Sequence, residues 1–238
     1  MICHVMDRVL SAKTVDATVL ATSIDSNNDI LEKTATDHGY ACFRGSEDDV
    51  LERFYLCAKQ YEADIVIRIC GDCPLVDPSI IDQLTTAFLE KTPPVTYMAS
   101  DTDYHDRTFP NGLDCEIFRF STLEEAHNEA TDPMDREHCT RFIVMGVGTR
   151  YTSGVITDDE FSNAGGERWC VDYPEDLLFM KATFAHFAPR TDFTYKEVYE
   201  LIIAKPEIRT LNADAEDAAS HRAKAHLVIS PPGVTIEK

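Results

Sequence analysis

Asp64-Ile65-Val66-Ile67-Arg68-Ile69-Cys70-Gly71-Asp72-Cys73-Pro74-Leu75 is the stretch that decides the fold class. Residues 64–70 are β-branched and apolar on both faces, the pattern of a strand covered on both sides. Gly71 and Pro74 end it. A helix over 78–89 follows, with Asp77 as N-cap and Pro78 at the first helical position. The alternation extends in both directions. Upstream, Ile2, Val5, Met6, Val9 and Leu10 fall on one helix face. Residues 17–21 read as a strand, 28–38 as a helix ended by Gly39, 40–43 as a short strand and 47–61 as a helix. Downstream, 95–99 and 115–120 read as strands around a loop rich in Asp, Pro and Gly. Residues 122–130 and 136–145 read as helices, 168–171 as a strand, and 174–187 and 193–204 as helices. Strands spaced by helices predict an α/β fold with a mostly parallel sheet flanked by helices. The expected organisation is one α/β domain over 1–190, a helical extension over 191–212, and a flexible tail over 213–238.

Composition narrows the function. The 238 residues hold 42 acidic and 22 basic side chains, a formal charge of −20. Such a chain repels phosphate backbones at long range, which argues against general nucleic-acid binding. It lacks the Lys/Arg clusters that an anionic membrane attracts, and no apolar run reaches the roughly 18 residues that span a bilayer. The first residues are too polar for a secretory signal, so a cytoplasmic location is the default expectation. Eight cysteines therefore read as reduced, small hydrophobes. Cys70 and Cys73 form a C-x-x-C pair, but no second pair completes a zinc site.

In parallel sheets, ligands bind beyond the carboxyl ends of the strands. Gly71 and Asp72 stand at such an end, and Gly71 lets a ligand approach the backbone. Asp77 already caps the next helix, so Asp72 has no capping duty. Asp172 follows the 168–171 segment. Pro174 makes Tyr173 the N-cap, leaving Asp172 outside the helix, while Glu175 and Asp176 suit the helix dipole. Two strand-end carboxylates without caps are what a Mg2+ site uses, because the ion fills its octahedron with water and phosphate oxygens.

Five ordered stretches carry a resemblance. They are Phe43-Arg44-Gly45-Ser46-Glu47-Asp48-Asp49-Val50-Leu51-Glu52-Arg53-Phe54, Arg68 to Leu75, Phe109-Pro110-Asn111-Gly112-Leu113-Asp114-Cys115-Glu116, Arg136-Glu137-His138-Cys139-Thr140, and Arg168 to Asp176. Together they resemble cytidylyltransferase-like proteins of the spore-coat polysaccharide type, related to CMP-sugar synthetases. The resemblance implies a Rossmann-like nucleotide-diphospho-sugar transferase fold. It also implies Mg2+-dependent transfer of a cytidylyl group from CTP to an acidic or modified sugar, and a homodimer. Asp72 and Asp172 would be catalytic metal ligands, with Arg68 orienting Asp72. Thr22, Ser23, Arg44 and Gly71 would lie near the nucleotide. Asn111, Asp114 and Glu116 would face the sugar, and Arg136 and His138, with Arg141, would hold a carboxylate or phosphate of the acceptor.

Two features depart from that family. It opens with a strand and a basic, Gly-containing loop, whereas Met1 to Val9 correspond to the helix that follows the loop. The expectation is a chain N-terminally truncated by about 20–25 residues, with its activity tied to the upstream loop. Arg141 also stands where the family usually has Pro. Two other readings compete: a glycosyltransferase, from the Asp101-Thr102-Asp103 pattern, and a non-catalytic partner in a polysaccharide pathway.

Overall fold

A computed structural model describes residues 1–100 and 107–213. The first half runs α1 (Ile2–Leu10), β1 (Val19–Ser23), α2 (Asp29–Asp37), β2 (Ala41–Gly45), α3 (Val50–Gln60), β3 (Ile65–Ile69) and α4 (Pro78–Glu90). The second runs β4 (Tyr97–Ala99), β5 (Cys115–Arg119), α5 (Phe120–Glu129), α6 (Pro133–Glu137), α7 (Arg141–Met145), β6 (Ser153–Val155), α8 (Pro174–Phe187), α9 (Tyr195–Ala204) and α10 (Pro206–Arg209). The helix starts have local causes. Asp77 accepts from the Ser79 amide at 2.8 Å with Pro78 behind it, and Asp49 accepts from the Glu52 amide at 2.8 Å at the start of α3.

The strands form two sheets. β1 and β2 pair in parallel, with Val19 opposite Ala41 and Ser23 opposite Gly45. The second sheet has the order β3-β5-β4-β6. β5 runs antiparallel to both β3 and β4, while β4 and β6 are parallel. The architecture is thus α/β with helices on the sheets, but the pairing is mixed rather than mostly parallel. The reason lies in β5, which runs antiparallel to both of its neighbours in the sheet. Among the described residues no ladder joins β1 to β3. Helix α3 packs on β1, β2 and α5 and bridges the two sheets.

Side-chain alternation builds two cores. Ile65, Ile67 and Ile69 face the larger one, with Leu75, Ile81, Leu84, Phe88, Ile117, Trp169, Phe179 and Val198. Val66 faces the smaller one, with Leu51, Tyr55, Phe118, Leu123 and Ile143. The two-sided apolar pattern of β3 is explained by this arrangement. Its isoleucines are only half-buried, because β3 is paired on one side.

Three local expectations change. The helix expected over 136–145 breaks at His138–Thr140 into α6 and α7, where the non-helical His138 lets Cys139 turn into the smaller core. Residues 168–171 form no ladder strand. They make a single bridge to Asn111 through Asn111 N to Glu167 O (2.9 Å) and Trp169 N to Asn111 O (2.6 Å). β6 was not expected, being short and only partly apolar; Gly154 in it leaves room for the Met98 side chain. Residues 101–106, with Asp101-Thr102-Asp103, and residues 214–238 lie outside the described residues.

The N-terminal helix is tied to the C-terminal segment by Arg8, which is only 4% exposed. Its guanidinium donates to the carbonyls of Val76 (2.7 Å), Thr191 (2.8 Å) and Phe193 (2.9 Å) and lies 4.0 Å from the buried Asp77 carboxylate. Asp77 also accepts from the Tyr195 amide at 2.7 Å. Replacing Arg8 with Met leaves Asp77 buried without a counter-ion, which costs about 3–5 kcal/mol. Urea unfolding is expected to show that loss for Arg8→Met, and an unchanged midpoint contradicts it.

Candidate active site

The site is built where the turn after β3 meets the segment before α8. The Val171 amide donates to the Asp72 carbonyl at 2.9 Å, which seats the two chain segments side by side. Asp72 is half-buried and accepts from the Cys73 thiol at 3.3 Å. The Asp172 side chain is 45% exposed and is paired with the Arg168 guanidinium. The Cys170 sulfur lies 3.6 Å from Asp172 Oδ2. Burial pushes its thiol up to about 12, with Arg168 opposing and the charges of Asp172 and Asp72 adding to the rise. The Val171–Asp72 bond brings the segments that carry Asp72 and Asp172 to one rim although a hundred residues separate them in sequence.

Asp176 holds this rim in place. Its side chain is fully buried. It accepts from the Arg168 guanidinium (3.2 and 3.3 Å), from the Asn212 amide (3.1 Å), and from the backbone N–H groups of Asp172 and Tyr173 (both 3.0 Å). Asn212 also donates to the Arg168 carbonyl at 2.9 Å. With its carbonyl accepting from Trp169, Asn111 brings the 111–114 turn against the same segment. Gly112 is required there: its φ is +107°, and a Cβ would come within 2.4 Å of the Trp169 carbonyl group. Asp114 Oδ2 accepts from the Gly112 amide at 3.0 Å, and the carboxylate pairs with Arg107. The charge of Asp114 reaches the Cys73 and Cys115 thiols. The turn after β3, the 111–114 turn and the segment before α8, which carry Asp72, Asn111, Asp114 and Asp172, are therefore joined by backbone bonds, with Gly71 exposed.

Other candidates lie elsewhere or are already engaged. Arg68 was expected to orient Asp72. Instead it pairs with Glu116, its cross-strand partner in the β3–β5 register. Burial opposes the Arg68 charge, but Glu116 and nearby thiols hold the guanidinium above its ordinary range. Glu116 also accepts from the Tyr97 hydroxyl at 2.7 Å, so its carboxylate is occupied inside the sheet rather than facing a sugar. Thr22 and Ser23 are buried at the end of β1. The Ser23 hydroxyl accepts from the Asp25 amide (3.0 Å) and the Asn28 side chain (2.9 Å). Arg44 bonds the Ser23 carbonyl, the Asp25 carbonyl (3.0 Å), Asp29 (2.9 Å) and Glu32 (2.6 Å). Arg136 donates to Asp49 (2.6 and 2.8 Å) and the His127 carbonyl (2.7 Å). Arg141 pairs with Asp135 and Asp132, and His138 is exposed. The expected basic cluster is thus neutralised by local carboxylates.

The donor set suits a hard cation. Among the described residues no group of three or more His, Cys, Asp or Glu side chains forms a metal cage. Two accessible carboxylates on one rim match an ion that completes its shell with water and substrate oxygens.

Residues 1–151, well over half the chain, match the family described as cytidylyltransferase. The chain belongs to the cytidylyltransferase family. It is 28% identical over 196 residues to the spore coat polysaccharide biosynthesis protein SpsF of Bacillus subtilis, covering 82% of this chain and 78% of that protein. A cytidylyltransferase from Leptospira borgpetersenii superposes with a TM-score of 0.79 at 28% identity, covering 88% of this chain and 85% of that one. A CMP:2-keto-3-deoxy-manno-octonic acid synthetase complexed with CTP shares the fold, with a TM-score of 0.54 at 16% identity, covering 78% and 87%. The fold is that of an α/β cytidylyltransferase. No helix among the described residues is long and apolar enough to cross a membrane.

Sequence reasoning missed Tyr97, Arg107 and Asn212, and it gave Asp176 only a dipole role. Burial alone would raise the Asp176 carboxyl, but the bonds from Arg168, Asn212 and two amides outweigh it and hold it below the usual range. A depressed carboxyl contributes stability that is present above the unfolded value near 4 and lost as pH falls through the folded value. Urea midpoints measured from pH 6 to pH 2 are therefore expected to fall on acidification. Asp176→Asn should lower the midpoint at pH 6 and flatten that acid limb; an acid limb identical to wild type contradicts the assignment.

Proposed function

We propose that the rim carrying Asp72 and Asp172 transfers a cytidylyl group from CTP to a hydroxyl of an acidic or modified sugar, for surface polysaccharide synthesis. The backbone bond that joins the Asp72 segment to the Asp172 segment supports the reading most directly. The name of the B. subtilis relative supports the pathway class. A Mg2+ held by Asp72 and Asp172 would neutralise phosphate charge and template the reacting phosphate.

The chain's own residues do the positioning. The exposed Gly71 leaves the backbone open to a ligand, and Asn111 and Asp114 offer polar groups toward sugar hydroxyls. Arg168 stands between the Asp172 and Asp176 carboxylates and limits their mutual repulsion in the resting rim. The sugar hydroxyl attacks the α-phosphate and pyrophosphate leaves, a step that depends mainly on alignment and charge neutralisation. Arg44, Arg68, Arg136 and Arg141 are all bound to carboxylates. An incoming triphosphate therefore relies on a divalent ion more than on side-chain cations. The reading also places the protein in the cytoplasm, in keeping with its eight free thiols.

Pyrophosphate release from CTP, with acidic sugars as acceptors and Mg2+ present, tests the proposal. Asp72→Asn and Asp172→Asn are each expected to lower the rate by about 100-fold or more, the scale of several kcal/mol of lost charge stabilisation. Wild-type rates in either variant overturn the metal assignment. Turnover of an intact nucleotide-sugar without pyrophosphate release from CTP overturns the reaction class.

A further inference from the structure

The proposed reaction leaves the C-x-x-C pair unused. All eight cysteines are free thiols, and Cys3, Cys42 and Cys70 are the three that are not buried. Cys70 and Cys73 stand three residues apart at the two ends of one turn. The turn between them closes on itself, with the Cys73 amide donating to the Cys70 carbonyl at 3.2 Å. Such a turn holds its end Cα atoms within about 7 Å, the separation a disulfide spans. The Cys73 S–H donates to Asp72 Oδ1 at 3.3 Å. Cys73 is only 3% exposed, so an external reagent meets Cys70 first.

We propose that Cys70 and Cys73 form a redox modification site that closes reversibly into a disulfide with a small disulfide oxidant such as oxidised glutathione. Cys70 loses its proton and its sulfur attacks one glutathione sulfur; the glutathione S–S bond breaks and one glutathione leaves as a thiol. Cys73 loses its proton and attacks the Cys70 sulfur; the mixed disulfide breaks and the second glutathione leaves as a thiol. The protein is oxidised by two hydrogens, and one glutathione disulfide is reduced to two thiols. Closure removes the S–H that Asp72 accepts from, so oxidation changes the environment of that carboxylate. Only this last consequence rests on the metal role proposed for Asp72.

The full chain is equilibrated in reduced and oxidised glutathione mixtures, alkylated, digested and analysed by mass spectrometry. The expected product is a peptide lighter by two hydrogens with residues 70 and 73 linked, growing with the oxidised fraction and reversed by dithiothreitol. Cys73→Ser is expected to stop at a glutathione adduct on Cys70, and Cys70→Ser to prevent both products. Full alkylation of Cys70 and Cys73 in every mixture, or linkage to another cysteine, overturns the proposal. Mn2+ titration of the reduced and oxidised protein separates the two readings. A shift in affinity on oxidation supports the link to Asp72, and equal affinities overturn that link. An absence of binding in both forms overturns the metal reading, while the peptide map still decides the dithiol.

Discussion

A carboxylate sealed from solvent needs every lone pair occupied, and Asp176 meets that demand with four donor groups. Two of them are the backbone amides of Asp172 and Tyr173, so the same bonds that satisfy Asp176 fix the path of the chain just before α8. Arg168 supplies the compensating charge and at the same time reaches Asp172. Asn212 arrives from the far end of the described chain and bonds both Asp176 and the Arg168 carbonyl. Breaking a buried pair is costly because an unpaired charge remains. The rim is therefore positioned by an internal charge that cannot relax cheaply, although Asp172 itself is exposed.

Charge is distributed unevenly through the molecule. Of the arginines, Arg8 and Arg168 are spent inside the fold, and Arg44, Arg68, Arg136, Arg141 and Arg150 are held by neighbouring carboxylates. The formal excess of 20 negative charges is consequently carried by acids without such partners. A polyanionic substrate meets an opposing field at long range, and a divalent cation meets a favourable one. This asymmetry favours the reading proposed above, in which a divalent ion rather than a patch of arginines meets the phosphates.

Much of this was legible in the primary structure, and the failures have a common cause. The helix starts at Pro78 and Pro174 could be placed from local chemistry, and that placement exposed Asp72 and Asp172 as carboxylates without caps. The apolar faces of β3 could be seen because alternation is a local property. Arg68 was placed correctly in a strand, yet its partner was missed. Glu116 stands opposite it only because β5 runs antiparallel to β3, which a parallel expectation hides. Arg136 pairs with Asp49 and Asp176 with Asn212, contacts that span 87 and 36 residues. No periodicity encodes such pairs. Asp176 looked like a first-turn acid because burial by a returning segment cannot be read from the turn itself.

The two sheets set the remaining constraint. Thr22, Ser23 and Arg44 belong to the β1–β2 pair, whereas Asp72 follows β3 in the other sheet. Among the described residues these sheets share no ladder, so backbone hydrogen bonds do not fix their relative position. Helix α3 does so through side chains: it lies on β1 and β2, and its Leu51, Tyr55 and Ala58 pack with Val66 and Phe118 of the second sheet. Dispersion and apolar burial tolerate small sliding better than a ladder does, because they lack its directional spacing. The Asp172 segment is consequently held in place through Asp176. The β1–β2 end is aligned with it by the packing of α3 on both sheets and by α1, which touches both α2 and α4.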